Sequence, residues 1–298
     1  MRDIPSCPTC GKEHCEVVYN STLQQNPSSM ASFNPYSAHY QINRCTHCGL
    51  LRASPILDEE GVVKLYRDSS ETNIAPGEET NVQRTMRRYY RLAQPFLDGR
   101  HRMLDVGCDR GFILEEAAKD GFKEVHGLEP NPAARQLAAH IKDAVLSDQF
   151  YEQTSYPSSS FDFMVMIHVL DHLVDPRVVL AKALCDLKPG GVMMAVVHNV
   201  ESLLGRILGG RFPPFNLYHF YYFSKRTLGA LFANHGFEVL KVVSTSNCYS
   251  LDFFASRAPG VPQVVRRMAA GVLKTSGLGR VPLTIPLGNI GIVARRPL

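Results

Sequence analysis

The chain has 298 residues, is 45% hydrophobic and carries a formal net charge of +4. That length accommodates one large domain plus a small one with a full core, and so modest a charge does not by itself imply a nucleic-acid partner. No run approaches the ~18 apolar residues of a membrane span, and Met1-Arg2-Asp3-Ile4-Pro5 has no apolar leader core. A reducing, cytoplasmic setting is therefore expected, where the eight cysteines serve metal binding ahead of disulfides.

Cys7-Pro8-Thr9-Cys10-Gly11 is echoed by Cys45-Thr46-His47-Cys48-Gly49. Each pair sets two thiolates on a tight turn, with a glycine relieving the backbone just after it. Four such sulfurs are a tetrahedral set for Zn²⁺, and a closed four-cysteine site leaves no position for water, so its role is structural. His14, Cys15 and His47 are spare donors nearby. This module, residues 1–65, is polar and would draw its stability from the metal. Residues 66–80, rich in Ser, Thr, Glu, Pro and Gly, read as a linker to a main domain over 81–298.

The main domain begins with a basic helix around Arg84, Arg87, Arg88, Tyr89, Tyr90 and Arg91. In Leu104-Asp105-Val106-Gly107-Cys108-Asp109-Arg110-Gly111 an apolar strand end then runs through an acid and a glycine turn into a helix. Glycines let the backbone approach a ligand closely, as for a dinucleotide or another adenosine cofactor. Counted from Gly107, the dinucleotide glycine offsets fall on Asp109 and Phe112, so that fingerprint fails. An acid two residues ahead of the first glycine suits a ligand with a cationic amino group, as S-adenosylmethionine has.

A helical face over Ile113, Leu114, Ala117 and Ala118 stops at Gly121, and the strand Val125–Leu128 ends in Glu129. Asn131-Pro132 and Asp175-Pro176 are N-cap signals. Ala144–Leu146 leads to Asp148, and Phe161–Ile167 is a buried strand running into His168. Lys188-Pro189-Gly190-Gly191 forms a turn before the strand Val192–Val197. The loop 198–222 is long and rich in Gly, Pro and aromatics, a functional signature. Ser224 caps a helix over Leu228, Leu231 and Phe232 that ends at Gly236. Phe237–Ser244 alternates as a strand, residues 248–288 are an insertion, and Ile290–Ala294 suits a closing edge strand. Within the insertion Val264, Val265, Met268, Ala269 and Val272 share one helical face, flanked by Arg266, Arg267 and Lys274. That face packs on the domain or touches lipid or a partner. Alternating strands and helices specify an α/β fold with a doubly wound, mostly parallel sheet.

Asp105-x-Gly107-x-x-x-Gly111, followed by Glu129, Asp148, the segment His168–Pro176 and the turn Lys188–Gly191, resembles class I S-adenosylmethionine-dependent methyltransferases over roughly residues 80–298. Asp109 stands where that family usually has another glycine. The resemblance implies a seven-stranded Rossmann-like sheet. It assigns S-adenosylmethionine to Asp105, Gly107, Cys108, Gly111, Glu129, Pro130, Asp148, Gln149 and His168. Glu129 would hold the ribose hydroxyls, Asp148 would read the adenine amine, and His168 would pack against the cofactor. The basic helix would cover the cofactor's carboxylate.

Taken with His172 and the cysteine pairs, Tyr218-His219-Phe220-Tyr221-Tyr222-Phe223-Ser224 resembles the zinc-containing sugar C-methyltransferases. Their segment carries Glu-His, and here Tyr218 replaces the Glu. The resemblance gives His172 and His219 a proton-handling role, with Tyr218 or Tyr222 as a supporting donor. The expected acceptor is a small molecule, a sugar or nucleotide-sugar methylated on carbon, oxygen or nitrogen. The rivals are an RNA methyltransferase, a methylase of a lipid-linked or quinone-like acceptor reached through 248–288, and a cofactor sensor without catalysis. The chain has no stacking platform of basic and aromatic residues that would favour nucleic acid.

Overall fold

A computed structural model describes residues 1–23, 38–67, 74–257 and 261–298. The N-terminal part holds β1 (Cys15–Tyr19), β2 (Ile42–Cys45), β3 (Leu51–Ala53) and α1 (Glu59–Arg67). There follow α2 (Glu79–Ala93), β4 (Arg102–Val106), α3 (Phe112–Lys119), β5 (Glu124–Leu128), α4 (Pro132–Ala138), β6 (Val145–Ser147) and β7 (Phe161–Ile167). The second half is α5 (Pro176–Asp186), β8 (Leu187–His198), α6 (Leu203–Leu208), β9 (Tyr221–Tyr222), α7 (Lys225–Asn234), β10 (Glu238–Ser250), α8 (Leu251–Arg257), α9 (Gln263–Thr275) and β11 (Pro282–Arg295).

The main sheet has seven strands in the order β10-β11-β8-β7-β4-β5-β6. The pairs from β8 to β6 are parallel, and β11 runs antiparallel to both β8 and β10. Helices cover both faces because strands such as Phe161–Ile167 are apolar on both sides and must be shielded. The expected caps form. Asn131 Oδ1 accepts from the amides of Ala133 at 2.9 Å and Ala134 at 3.4 Å. Asp175 accepts from the Arg177 amide at 3.0 Å, and Ser224 pairs reciprocally with Thr227. Each fixes where a helix starts, and so where the preceding strand delivers its last residue.

Four expectations need correction. Ile290–Ala294 lies inside the sheet; β10 is the edge and β11 is its inner neighbour. The reason is burial: Ile290, Ile292, Val293 and Ala294 are each shielded, and only an inner position covers both faces. The Lys188–Gly191 turn is a bulge within β8, whose register to β7 slips between Phe161 and Phe163. The insertion is shorter than 248–288, because β10 and β11 extend their hairpin to Ser250 and Pro282 and leave only 251–281 for helices. Finally, α2 starts at Glu79, inside the expected linker, while residues 68–73 of that linker lie outside the described residues.

The N-terminal sheet has the order β1-β2-β3-β9, and its fourth strand comes from the main domain. Leu51 pairs with Tyr222 and Arg52 with Tyr221. Tyr40, Ile42 and Leu50 share one buried cluster with Phe220, Phe223, Met164 and Met166. The segment expected to line the substrate site is thereby clamped between the cysteine module and the main sheet.

Candidate active site

The carboxyl ends of β4, β5, β7 and β8 open into one cavity of about 1200 Å³, the position where open α/β sheets take their ligands. Its first half is acidic. Gly107 has φ 72°, and a Cβ there would come within 2.6 Å of Val169 Cγ2, so only glycine makes this turn. The amides of Gly107 and Cys108 donate to the Leu128 carbonyl at 2.8 and 3.0 Å, tying the turn to the end of β5. Asp109 takes φ 44°, a left-handed conformation that Asp tolerates better than most residues.

Glu129 is held rigidly. One carboxylate oxygen accepts from the Asp109 amide at 2.9 Å and the other from the Asn131 amide at 2.8 Å. A carboxylate has about four acceptor positions, so both oxygens can still accept from ligand hydroxyls. Burial raises the pKa of Asp105, Glu129 and Asp109, and repulsion from neighbouring carboxylates raises Asp105 and Glu129 further. A cationic ligand would relieve that crowding. The acidic lining at Asp105, Asp109 and Glu129 therefore fits a cationic cofactor such as S-adenosylmethionine.

The second half is an imidazole cluster. His168 follows β7 with φ 53°, Asp171 and His172 lie on a 3₁₀ turn over Leu170–His172, and His198 ends β8. His219 sits in the clamped segment before β9. The rings of His168 and His198 are 4.6 Å apart, those of His198 and His219 4.8 Å, and those of His172 and His219 4.3 Å. Asp171 is buried at their centre. Its Oδ2 lies 3.1 Å from His198 Nδ1 and 3.8 Å from His219 Nε2, and its Oδ1 lies 3.8 Å from His172 Nε2. His219 Nδ1 is 3.0 Å from Asn216 Oδ1.

Burial holds the pKa of His172 and His219 below the ordinary imidazole value, and pushes His168 down to about 3. Burial alone would raise Asp171, but the His198 hydrogen bond and the surrounding imidazoles outweigh it and hold Asp171 below the usual carboxylate range. The cluster thus favours a charged Asp171 carboxylate, and burial disfavours the charged forms of His168, His172 and His219. His168 Nε2 also lies 3.4 Å from Asn289 Nδ2, which donates to Asn247 Oδ1 and Tyr89 Oη at 3.1 Å each.

Of the residues expected to bind the cofactor, Asp105, Gly107, Cys108, Glu129, Pro130, Gln149 and His168 line the cavity, and so do His172, Tyr218 and His219. Gly111, Asp148 and Tyr222 do not. Gly111 packs against the end of α4 and the turn after it, where a Cβ would meet Ile141 at 2.2 Å and Ala138 at 3.3 Å. Asp148 is exposed. The buried Tyr222 hydroxyl donates to the His219 carbonyl at 2.9 Å, so it braces the loop. The basic helix presents Tyr89 to the cavity, not its arginines; Arg87 is held by Glu116 at 2.9 and 3.0 Å on α3.

Asp171 and His198 carry more of the geometry than the sequence suggested, and Asn247 and Asn289 were missed. Asn289, set just ahead of the apolar run Ile290–Ala294, was the available signal, because buried amides need partners; Asn247 lies in a polar stretch of β10 and gave none. The cavity mouth adds Tyr249, Phe253, Phe254 and Leu287.

Away from the cavity the four module cysteines converge. Cys7 and Cys48 sulfurs are 3.4 Å apart and Cys10 and Cys45 sulfurs 3.6 Å, with all four within 4.8 Å of one another. Thiolates 2.3 Å from a tetrahedral ion stand roughly 3.8 Å apart, so the set fits Zn²⁺. Cys108, Cys185 and Cys248 are in no such group among the described residues.

Residues 79–242 match the family described as a methyltransferase domain. The chain belongs to that family. The chain is 33% identical over 120 residues to the ubiquinone biosynthesis O-methyltransferase of Rhodopseudomonas palustris, covering 37% of this chain and 46% of that one. It is 28% identical over 120 residues to the enzyme of the same name from Shewanella sp., covering 37% and 50%. The chain thus spans about half the length of these curated relatives. In fold it is similar to a SAM-dependent methyltransferase from Archaeoglobus fulgidus, with TM-score 0.50 and 22% identity over 73% of this chain and 97% of that one. The YcgJ protein from Bacillus subtilis gives TM-score 0.51 and 17% identity over 70% and 98%.

Proposed function

We propose that this methyltransferase acts on a small-molecule acceptor whose methylated atom gives up a proton to the imidazole cluster around Asp171. The single observation that carries the reading is a buried carboxylate, Asp171, ringed by His172, His198 and His219, which line the same cavity as the acidic residues. S-adenosylmethionine, when bound, supplies an electrophilic methyl group, so the protein's task is alignment and proton removal. Depressed pKa values keep His172 and His219 neutral, with a basic nitrogen available at neutral pH. Asp171 orients His198 and stabilises the imidazolium formed when the cluster takes up a proton. Tyr218 lines the cavity, and in this reading its hydroxyl would donate to the acceptor.

A sugar or nucleotide-sugar is the first reading of the acceptor. Its support is the pairing of His172 with His219 together with a separate module of four cysteines, to which we assign one structural Zn²⁺. A second reading is a lipid-linked or quinone-like acceptor. The aromatic mouth at Tyr249, Phe253 and Phe254 favours it, as do relatives named for ubiquinone biosynthesis. RNA is disfavoured, because the basic helix α2 turns Tyr89, not its arginines, to the cavity.

The test is incubation of the full chain with methyl-labelled S-adenosylmethionine and separate pools of nucleotide-sugars, lipid extract and structured RNA. Label in a small molecule, lost in His219→Gln, is the expected result. Label confined to RNA would overturn the proposal.

A further inference from the structure

Helix α9 of the 251–281 segment is turned the wrong way round for packing. On α9 the outward positions are Val264, Val265, Met268 and Val272, which are 68%, 51%, 67% and 67% exposed. At 100° per residue these four fall within about a third of the helix circumference. The sheltered positions are Arg266, Ala270 and Leu273, and Arg266 donates to the Ser256 carbonyl on α8 at 3.2 Å. The helix thus turns its aliphatic stripe to solvent and a cation toward the protein. Leu278, Val281 and Leu283 continue the apolar exposure at 53%, 42% and 39%.

Charge points the same way. Within 251–281 the cations Arg257, Arg266, Arg267, Lys274 and Arg280 face a single acid, Asp252. That surplus of +4 equals the net charge of the whole chain, so the rest of the protein is neutral. Arg267 and Arg280 form no ion pair among the described residues. The segment is also continuous with the site, since Phe253, Phe254 and Arg257 of α8 belong to the cavity wall.

We infer that α9 and the adjoining turn dock this enzyme on an anionic phospholipid surface, with the cavity mouth beside the bilayer. An outward aliphatic face flanked by cations is the interfacial arrangement: apolar side chains enter the acyl boundary while arginines meet headgroup phosphates. RNA would be served by the cations alone and leaves the valines and methionine unexplained. Docking rests on the second reading of the acceptor, an amphipathic molecule drawn from the membrane through the aromatic mouth.

The test is flotation of the full chain with phosphatidylcholine vesicles and with phosphatidylcholine–phosphatidylglycerol vesicles. The expected result is binding to the anionic vesicles only, weakened by salt. The triple variant Val264→Ser, Met268→Ser, Val272→Ser should lose that binding by tenfold or more on the order expected for removing three buried aliphatic groups. Arg267→Glu should weaken it roughly fivefold or more. These side chains are exposed, so melting temperature and S-adenosylmethionine affinity should stay unchanged, and that calorimetry shows that the variants are folded. No flotation of the parent chain, or equal flotation of the triple variant, overturns the inference. So does salt-sensitive RNA binding that the triple variant retains, or a solution dimer that the variant dissolves without any vesicle binding. Flotation failure with cofactor binding and methyl transfer intact refutes docking alone, whereas failure of methyl transfer on every small-molecule pool refutes the proposed function.

Discussion

Glu129 offers the sharpest test of the cofactor half, and it needs no knowledge of the acceptor. Its two oxygens are fixed by the amides of Asp109 and Asn131 at 2.9 and 2.8 Å. In Glu129→Gln the side chain keeps its length, loses its charge and presents one amide group that cannot accept. Hydrogen bonds to a charged group contribute about 1.5–3 kcal/mol each, so losing one from the ribose weakens binding by roughly tenfold to hundredfold. Glu129→Ala goes further, because it also strands two backbone amides, each at a cost of about 1–3 kcal/mol if buried. The alanine variant should therefore melt several degrees lower as well, at roughly 2–4 °C per kcal/mol for a chain of this size. Titration calorimetry with S-adenosylmethionine and thermal melting of both variants separate the two effects. A Glu129→Gln protein of unchanged affinity would refute the ribose assignment, even if Glu129→Ala is unstable.

Elemental analysis of metal-replete protein should give one Zn²⁺ per chain; Cys45→Ser should lower that content and the melting temperature together, and parent protein without zinc would reject the assignment. Asp171→Asn and His219→Gln should each lower kcat by about 10²–10⁴ while leaving S-adenosylmethionine affinity within about twofold, because neither residue belongs to the acidic half; full turnover in both would leave alignment alone as the mechanism. Because burial depresses His172 and His219, their basic form persists to lower pH than in free imidazole. The acid limb of kcat/KM should then lie below the ordinary imidazole pKa of about 6.5, with activity full above it and lost as pH falls through the lowered values; half-loss at or above that pH would contradict the buried-base reading.

Much of this was written locally. The Asp105–Gly111 turn, the caps at Asn131, Asp175 and Ser224, and the paired cysteine turns each depend on neighbours within a few residues. Short-range sterics and hydrogen bonding specify them without reference to the rest of the chain. Alternation of strand and helix then sufficed for the doubly wound sheet.

Tertiary structure decided what local patterns leave open. Asp171 meets His198 across 27 positions, and Tyr89 meets Asn247 across 158, because strands far apart in sequence end at one sheet edge. The sequence showed a basic helix without showing which side meets the cavity; in the fold Tyr89 lines it while Arg87 pairs with Glu116 on α3. Tyr222 had the right chemistry for a donor, but its register opposite Leu51 spends its hydroxyl on the backbone. Likewise the apolar stripe of α9 was visible as a period, yet a period carries no direction. Only the arrangement of α8 and α9 turned Val264, Met268 and Val272 outward, since the identity of a helical face is local and its orientation is set by everything it packs against.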